Sequence, residues 1–182
     1  MKTEFMGSSI GIRRYQAGDI TLHFAAIRES IKELSQCLAW CHANYSQEDS
    51  ARHFSSQEAA WEAGQEFHFV IYDPKDGGLV GAVGLNQLNS ANRLANLGYW
   101  VRTGKTRQSI ASSAVRLVAR FGFEELQLMR LEIVVAVGNL ASHRVAEKSG
   151  AVREGVLRNR LALHGQQLDA TMHSLTPADL SA

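Results

Sequence analysis

The chain has 182 residues, 19 basic against 18 acidic, and 45% of it is apolar. That length suits one domain, 1–182, with room for a sizeable core, and only two prolines leave little for disordered linkers. A formal charge of +1 with no basic block gives generic nucleic-acid binding no support, and no apolar run is long enough to span a membrane. The opening Met1-Lys2-Thr3-Glu4-Phe5-Met6 leads into no apolar stretch of secretory length, so a cytoplasmic protein is expected. Cys37 and Cys41 have the spacing of neighbours on a helical face, not of a C-x-x-C redox or zinc pair. They read as ordinary thiols, and no metal site is expected.

Ile10 to Arg13 reads as a short first strand, and Asp19 is placed to cap the helix that follows. From Ile20 to Trp40, Leu22, Ala25, Ala26, Ile31, Leu34 and Leu38 recur at helical spacing. A second helix is predicted from about Gln47 to Ala63, stopped by Gly64. Phe67 to Tyr72 alternates as a strand, Asp73-Pro74-Lys75-Asp76-Gly77-Gly78 is a turn, and Leu79 to Leu85 is the return strand. Another strand spans about Arg93 to Val101. The run from Ile110 to Leu126 then puts Ile110, Ala114, Leu117, Val118 and Phe121 on one helical side. Leu131 to Val137 is nearly all apolar, as in a strand covered on both faces. A short helix from Leu140 to Ser149 ends at Gly150. Strands at Val152–Leu161 and Leu168–Leu175 close the chain around His164-Gly165-Gln166. The element order describes a mixed α/β sheet; its strand order cannot be read from periodicity.

Chemistry concentrates in the second half. Between a strand and the helix starting at Ile110 lies Arg102-Thr103-Gly104-Lys105-Thr106-Arg107-Gln108-Ser109. A helix start has backbone N–H groups without internal acceptors, and its dipole favours an anion. Lys105 and Arg107 add charge that a pyrophosphate can use, and Ser109 adds a hydroxyl. Neither a Walker loop nor a dinucleotide fingerprint is present, which argues against a nucleotide triphosphatase. Read alone, the loop is equally a solvated turn with incidental cations. Asn139-Leu140-Ala141-Ser142 follows the apolar strand: Asn139 offers an amide to a peptide-like arm and Ser142 a hydroxyl, or Asn139 simply caps the helix.

Six stretches together resemble the GCN5-related N-acetyltransferases (GNAT), in their RimJ/RimL-like ribosomal-protein-alanine branch. They are G-Y-W-V at 98–101, I-A-S-S-A-V at 110–115, F-E-E-L at 123–126, R-L-E-I-V-V-A at 130–136, N-L-A-S-H-R-V-A-E-K-S-G-A at 139–151 and R-E-G-V-L-R-N at 153–159. The resemblance implies one acetyltransferase domain with a mostly antiparallel mixed sheet, flanked by helices and splayed where acetyl-CoA binds. The family's pyrophosphate loop, Q/R-x-x-G-x-G/A, falls on Thr106, Arg107, Gln108, Ser109, Ile110 and Ala111, with Lys105 just before. Only Ala111 meets that pattern. Ser109 replaces a glycine, and Arg107 stands where this branch often has a second one, so weakened cofactor binding is one expectation.

The family reaction is direct attack of a neutral amine on the acetyl thioester. By resemblance, backbone groups near Val134 to Val137, with Val135 and Val137 assigned to the cofactor, hold the thioester arm and its carbonyl. Asn139 contacts the pantetheine arm, and Ser142 lies near the sulfur to serve the departing thiolate. For the base, this branch often has a glutamate where this chain has Leu161. Glu132 is the best carboxylate left, or else a structural partner of Arg130 or Arg153; His164 and Asp169 are alternatives. Asn96, Tyr99 and Trp100 read as sheet residues rather than chemical ones. The acceptor is an amine, either a small molecule or a protein N-terminus, in a slot between the first two helices and the final hairpin. Trp40, His42, Tyr45 and His68 are candidates to line it. A homodimer is compatible with the sequence but required by nothing in it. The competing reading is a non-catalytic acyl-CoA-binding or regulatory domain on the same scaffold, favoured by the altered 106–109 loop.

Overall fold

The computed structural model describes residues 1–180. Eight strands form one sheet: β1 Glu4–Met6, β2 Gly11–Arg14, β3 Phe67–Tyr72, β4 Leu79–Asn89, β5 Leu94–Val101, β6 Arg130–Ala136, β7 Val152–Leu163 and β8 Gln166–Leu175. Their spatial order is β1-β2-β3-β4-β5-β6-β8-β7. Every neighbouring pair is antiparallel except β5 and β6. A parallel pair needs a long crossover, and here α4 (Ile110–Glu124) supplies it. The other helices are α1 Asp19–Glu29, α2 Ile31–Leu34, α3 Gln47–Glu62 and α5 Leu140–Lys148.

Most predicted elements appear within a few residues of their expected ends, with four departures. Three residues, Glu4–Met6, add an edge strand outside the predicted first one; it is anchored by Phe5, whose ring meets Phe69 and Phe121 edge-on. The helix expected over Ile20–Trp40 breaks at Ser30, whose φ/ψ of −106/10° leaves the helical basin. The Ser30 hydroxyl accepts from the Thr103 N–H at 2.9 Å, so the break ties the first helix to the loop before α4. Asp19 does not cap α1. Gly18 occupies that position, while the Asp19 carboxylate accepts from Gln16 N–H at 2.9 Å and grips both Arg13 guanidinium nitrogens at 2.7 Å. Finally, β6 is not buried on both faces. Leu131, Ile133 and Val135 are buried, whereas Glu132, Val134 and Ala136 are half-exposed on a face that remains partly open.

Two cores sandwich the sheet. On one face, α4 packs Ile110, Ala114, Val118 and Phe121 onto Leu85, Leu97, Leu131 and Ile133. Phe121 sits at the centre of an aromatic cluster, with ring centroids 5.0–6.0 Å from Phe5, Trp61, Phe67 and Phe69. The opposite face is covered by α1 and α2, where Ala26, Ile27, Leu34 and Tyr45 meet Val70, Ala82 and Trp100. The final hairpin turns through His164 and Gly165, both at positive φ (48° and 78°), as a two-residue turn between twisted strands requires.

Candidate active site

The functional geometry begins where β5 and β6 stop pairing. Their register holds only for Leu94–Asn96 against Arg130–Glu132, although β5 continues to Val101 and β6 to Ala136. Past Glu132 the two strands present facing edges with no strand partner between them. The alternation of β6 decides which groups look into this gap. The Val137 N–H donates to the Asp169 carbonyl at 3.1 Å, so Val137, Val135 and Ile133 turn their backbone groups toward β8. Val134 and Ala136 therefore turn theirs toward the gap. On β5 the Arg102 N–H bonds to Val80 O, which by the same alternation aims the Tyr99 and Val101 backbone groups into the gap. The backbone donors facing the gap from β6 thus sit one residue off the expected Val135 and Val137, because strand neighbours alternate sides.

The start of α5 forms one wall. Asn139 caps this helix, its Oδ1 accepting from the Ser142 N–H at 3.1 Å, while its Nδ2 makes no hydrogen bond among the described residues. Capping and ligand binding are thus compatible for this side chain, since they use opposite ends of one amide. Ser142 is half-buried, and its Oγ lies 2.8 Å from the phenol oxygen of Tyr99, which also donates to the Ser142 carbonyl at 3.0 Å. Burial pushes the Tyr99 hydroxyl up to about 12, against a smaller opposing effect of its bond to Ser142. Tyr99, expected as a sheet residue, reaches the site from β5 across the gap. Nothing in its sequence spacing to Ser142 announces that contact.

The loop before α4 keeps the geometry of glycines without having them. Arg107 and Ser109 have φ of 61° and 62°, in the left-handed region, at the two positions where the resemblance places glycine. Such backbone in residues with a Cβ costs of the order of 1 kcal/mol each. No side chain caps α4. The Ser109 hydroxyl instead accepts from Lys148 Nζ at 2.7 Å, which brings a cation from the end of α5 onto the loop. Thr106 Oγ1 is turned back to the Thr103 carbonyl, Gln108 and Arg107 are exposed, and Ala111 is half-buried. Ile110 is buried in the core, so only its backbone faces the loop. Lys105 lies 4.0 Å from Asp73. Lys148 was not marked by residue type alone, because a lysine near a helix end is ordinarily a solvated charge.

Glu132 stands at the apex of the gap, paired in register with Asn96. Its Oε1 accepts from Arg130 Nε at 2.9 Å, while Arg130 also makes a two-pronged bond to Glu154 at 2.7 and 2.6 Å. That fork and the Ser174 hydroxyl hold the Glu154 carboxyl down to about 2. Of the alternatives, Asp169 Oδ1 accepts from the Asn159 N–H, and His164 contacts the Ser35 carbonyl at 2.6 Å. The latter contact brings the hairpin turn against the end of α2. Trp40, His42 and Tyr45 line a pocket of about 170 Å³ together with His23, Asp49 and His53. His68 lies behind His53, ring centroids 6.0 Å apart, and pairs with Glu66 instead of lining it. A larger hollow of about 600 Å³ lies elsewhere, between the far end of α4 and Pro177–Leu180, remote from the strand gap. Among the described residues no cluster suits a metal ion, and no helix is long and apolar enough to cross a membrane.

The acetyltransferase (GNAT) domain profile matches residues 10–152, which span the parted strands and the uncapped start of α4. The chain belongs to the GNAT acetyltransferase family. It is 34% identical over 122 residues to the "Probable N-acetyltransferase YjcK" of Bacillus subtilis (strain 168), covering 66% of this chain and 67% of that protein. It is 26% identical over 141 residues to the ribosomal-protein-serine acetyltransferase of Escherichia coli (strain K12), covering 78% of each. Mycobacterium smegmatis RimJ, solved with CoA-disulfide, superposes with a TM-score of 0.85 at 24% identity, over 95% of this chain and 84% of that one. The mixed sheet with its flanking helices is thus the GNAT fold.

Proposed function

We propose that this GNAT acetyltransferase moves the acetyl group of acetyl-CoA to a primary amine by direct attack, with a protein or peptide N-terminus as the acceptor class. The observation that carries this reading is the β5–β6 gap, with the uncapped start of α4 at one end and the Tyr99–Ser142 pair beside it. The residues suit the cofactor. First-turn N–H groups of α4, Arg107 and Lys148 match a diphosphate, and parted strand edges with Asn139 Nδ2 match an arm rich in amides. Acetyl-CoA, when bound, supplies an activated thioester. Backbone N–H groups of Val134 and Ala136 are the proposed donors to its carbonyl oxygen. Ser142 is the proposed proton donor to the departing sulfur. Glu132, whose Oε2 makes no hydrogen bond among the described residues, is the proposed base acting through water at the apex of the gap.

A protein N-terminus is favoured because the ribosomal-protein-serine acetyltransferase relative aligns with 78% of this chain. The altered loop does not by itself favour a non-catalytic role, since Arg107 and Ser109 retain the left-handed backbone that glycines would adopt. The test is calorimetric titration with acetyl-CoA, then thiol release measured across a panel of peptides with free N-termini and small amines. Binding followed by peptide-dependent thiol release is expected. Absence of binding at millimolar cofactor refutes the reading, and binding without release for any amine leaves only the scaffold role. Ser142→Ala should lower kcat about 10-fold or more with little change in cofactor Kd.

A further inference from the structure

Tyr99 of β5 reaches across the gap to α5, and its phenol oxygen touches two atoms of one residue. It is 2.8 Å from Ser142 Oγ and 3.0 Å from the Ser142 carbonyl oxygen. A phenol has one hydrogen, and a carbonyl can only accept. Two arrangements therefore exist. With the phenol hydrogen on the carbonyl, the Ser142 hydroxyl must donate back to Tyr99, and its proton is held away from the gap. With the phenol hydrogen on Ser142 Oγ, the serine proton is released to another acceptor. The two differ by rotation about two C–O bonds, and no net proton leaves either residue.

We infer that Tyr99 is the positioning residue of this site: it holds the Ser142 side chain in one rotamer and frees that hydroxyl's proton when an anion forms in the gap. The inference rests on the reading of Ser142 as proton donor to sulfur. With the amine made neutral through Glu132, Ser142 Oγ gives its hydrogen to sulfur as the carbon–sulfur bond breaks and takes the second proton that the nitrogen sheds on becoming an amide, so the serine ends unchanged. Tyr99 donates its hydrogen bond to Oγ during that exchange and keeps its own proton. Burial supports the assignment, because a phenol held well above the working pH range remains a donor throughout. Asn139 fixes the backbone of Ser142 from the opposite side through the cap, leaving the hydroxyl rotamer as the one remaining freedom, and Tyr99 removes it.

The experiment compares wild type, Tyr99→Phe, Ser142→Ala and the double variant, all as the full chain. Phenylalanine keeps the ring in its buried seat, and a thermal melt checks that the fold is retained. In the unliganded protein, the Ser142 Hα–Hβ couplings should report one χ1 rotamer in wild type and averaging in Tyr99→Phe. For turnover, Tyr99→Phe should lower kcat about 10-fold with KM for acetyl-CoA within twofold, and the double variant should be no slower than Ser142→Ala alone. A single Ser142 rotamer in Tyr99→Phe overturns the inference. So does a double variant whose losses multiply, or a Tyr99→Phe enzyme at wild-type kcat. If Ser142→Ala is itself fully active, the reading of Ser142 fails, while the rotamer measurement still decides what Tyr99 holds.

Discussion

Acid should unfold this protein through a stack of histidines that the fold keeps neutral. His23 on α1 is 1% exposed and lies face-on to His53 of α3, ring centroids 5.5 Å apart, and edge-on to Trp100. Its Nδ1 meets the Ser50 hydroxyl at 3.1 Å, and its Nε2 is buried without a partner. Burial, then the neighbouring His53, pulls His23 down to about 3; burial, then His68, pulls His53 down to about 4. Both pKa values are lower in the folded state, so the unfolded chain binds more protons below the ordinary imidazole value near 6.5. The stability tied to their neutral forms is intact above about pH 6.5 and is lost as pH falls toward the folded values. Each pH unit in that window costs one such histidine about 1.4 kcal/mol, so over the two units from pH 6.5 to 4.5 His23 alone should remove about 3 kcal/mol. That is a large part of a typical domain's total stability of about 5–15 kcal/mol. Urea unfolding midpoints between pH 7.5 and 4.5, for wild type and His23→Phe, measure the slope. Wild type should weaken steeply and His23→Phe distinctly less. Identical slopes for the two proteins would refute the assignment of the acid transition to His23.

The remaining expectations are simpler. Lys148→Ala removes the cation held on Ser109 and should raise the acetyl-CoA Kd about 5-fold at low salt; the difference should shrink at high salt, and calorimetry at two ionic strengths reads it. Phe121→Ala opens a cavity among Phe5, Trp61, Phe67 and Phe69 and should cost about 3–5 kcal/mol in chemical denaturation.

Much of the scaffold is legible in the residues because local rules agree there with the final packing. The period-3.6 apolar face of α4, the alternation of Phe67–Tyr72 and the turn at His164-Gly165 all survive into the structure. The break at Ser30 was not legible. A continuous helical pattern runs through it, and the bond that rewards the break comes from Thr103, far along the chain. The same holds for Asp19, whose cap chemistry was overridden by a nearer cation, Arg13.

At the site, residue chemistry in the sequence offers Lys105 to Ser109, Asn139 and Ser142 as candidates, and the resemblance to GNAT acetyltransferases places the loop at 106–111. The same resemblance marks 107 and 109 as glycine positions, and the structure gives both left-handed backbone. Tertiary structure alone decided the rest. The point where β5 and β6 separate is a matter of pairing register between strands joined by α4. The turning of Val134 and Ala136, not Val135 and Val137, toward the gap follows from which neighbour β8 occupies. Tyr99 reaches Ser142, and Lys148 reaches Ser109, only because the sheet and two helices bring together side chains 43 and 39 residues apart. Distances of that kind are set by packing, and no periodicity along one chain segment encodes them.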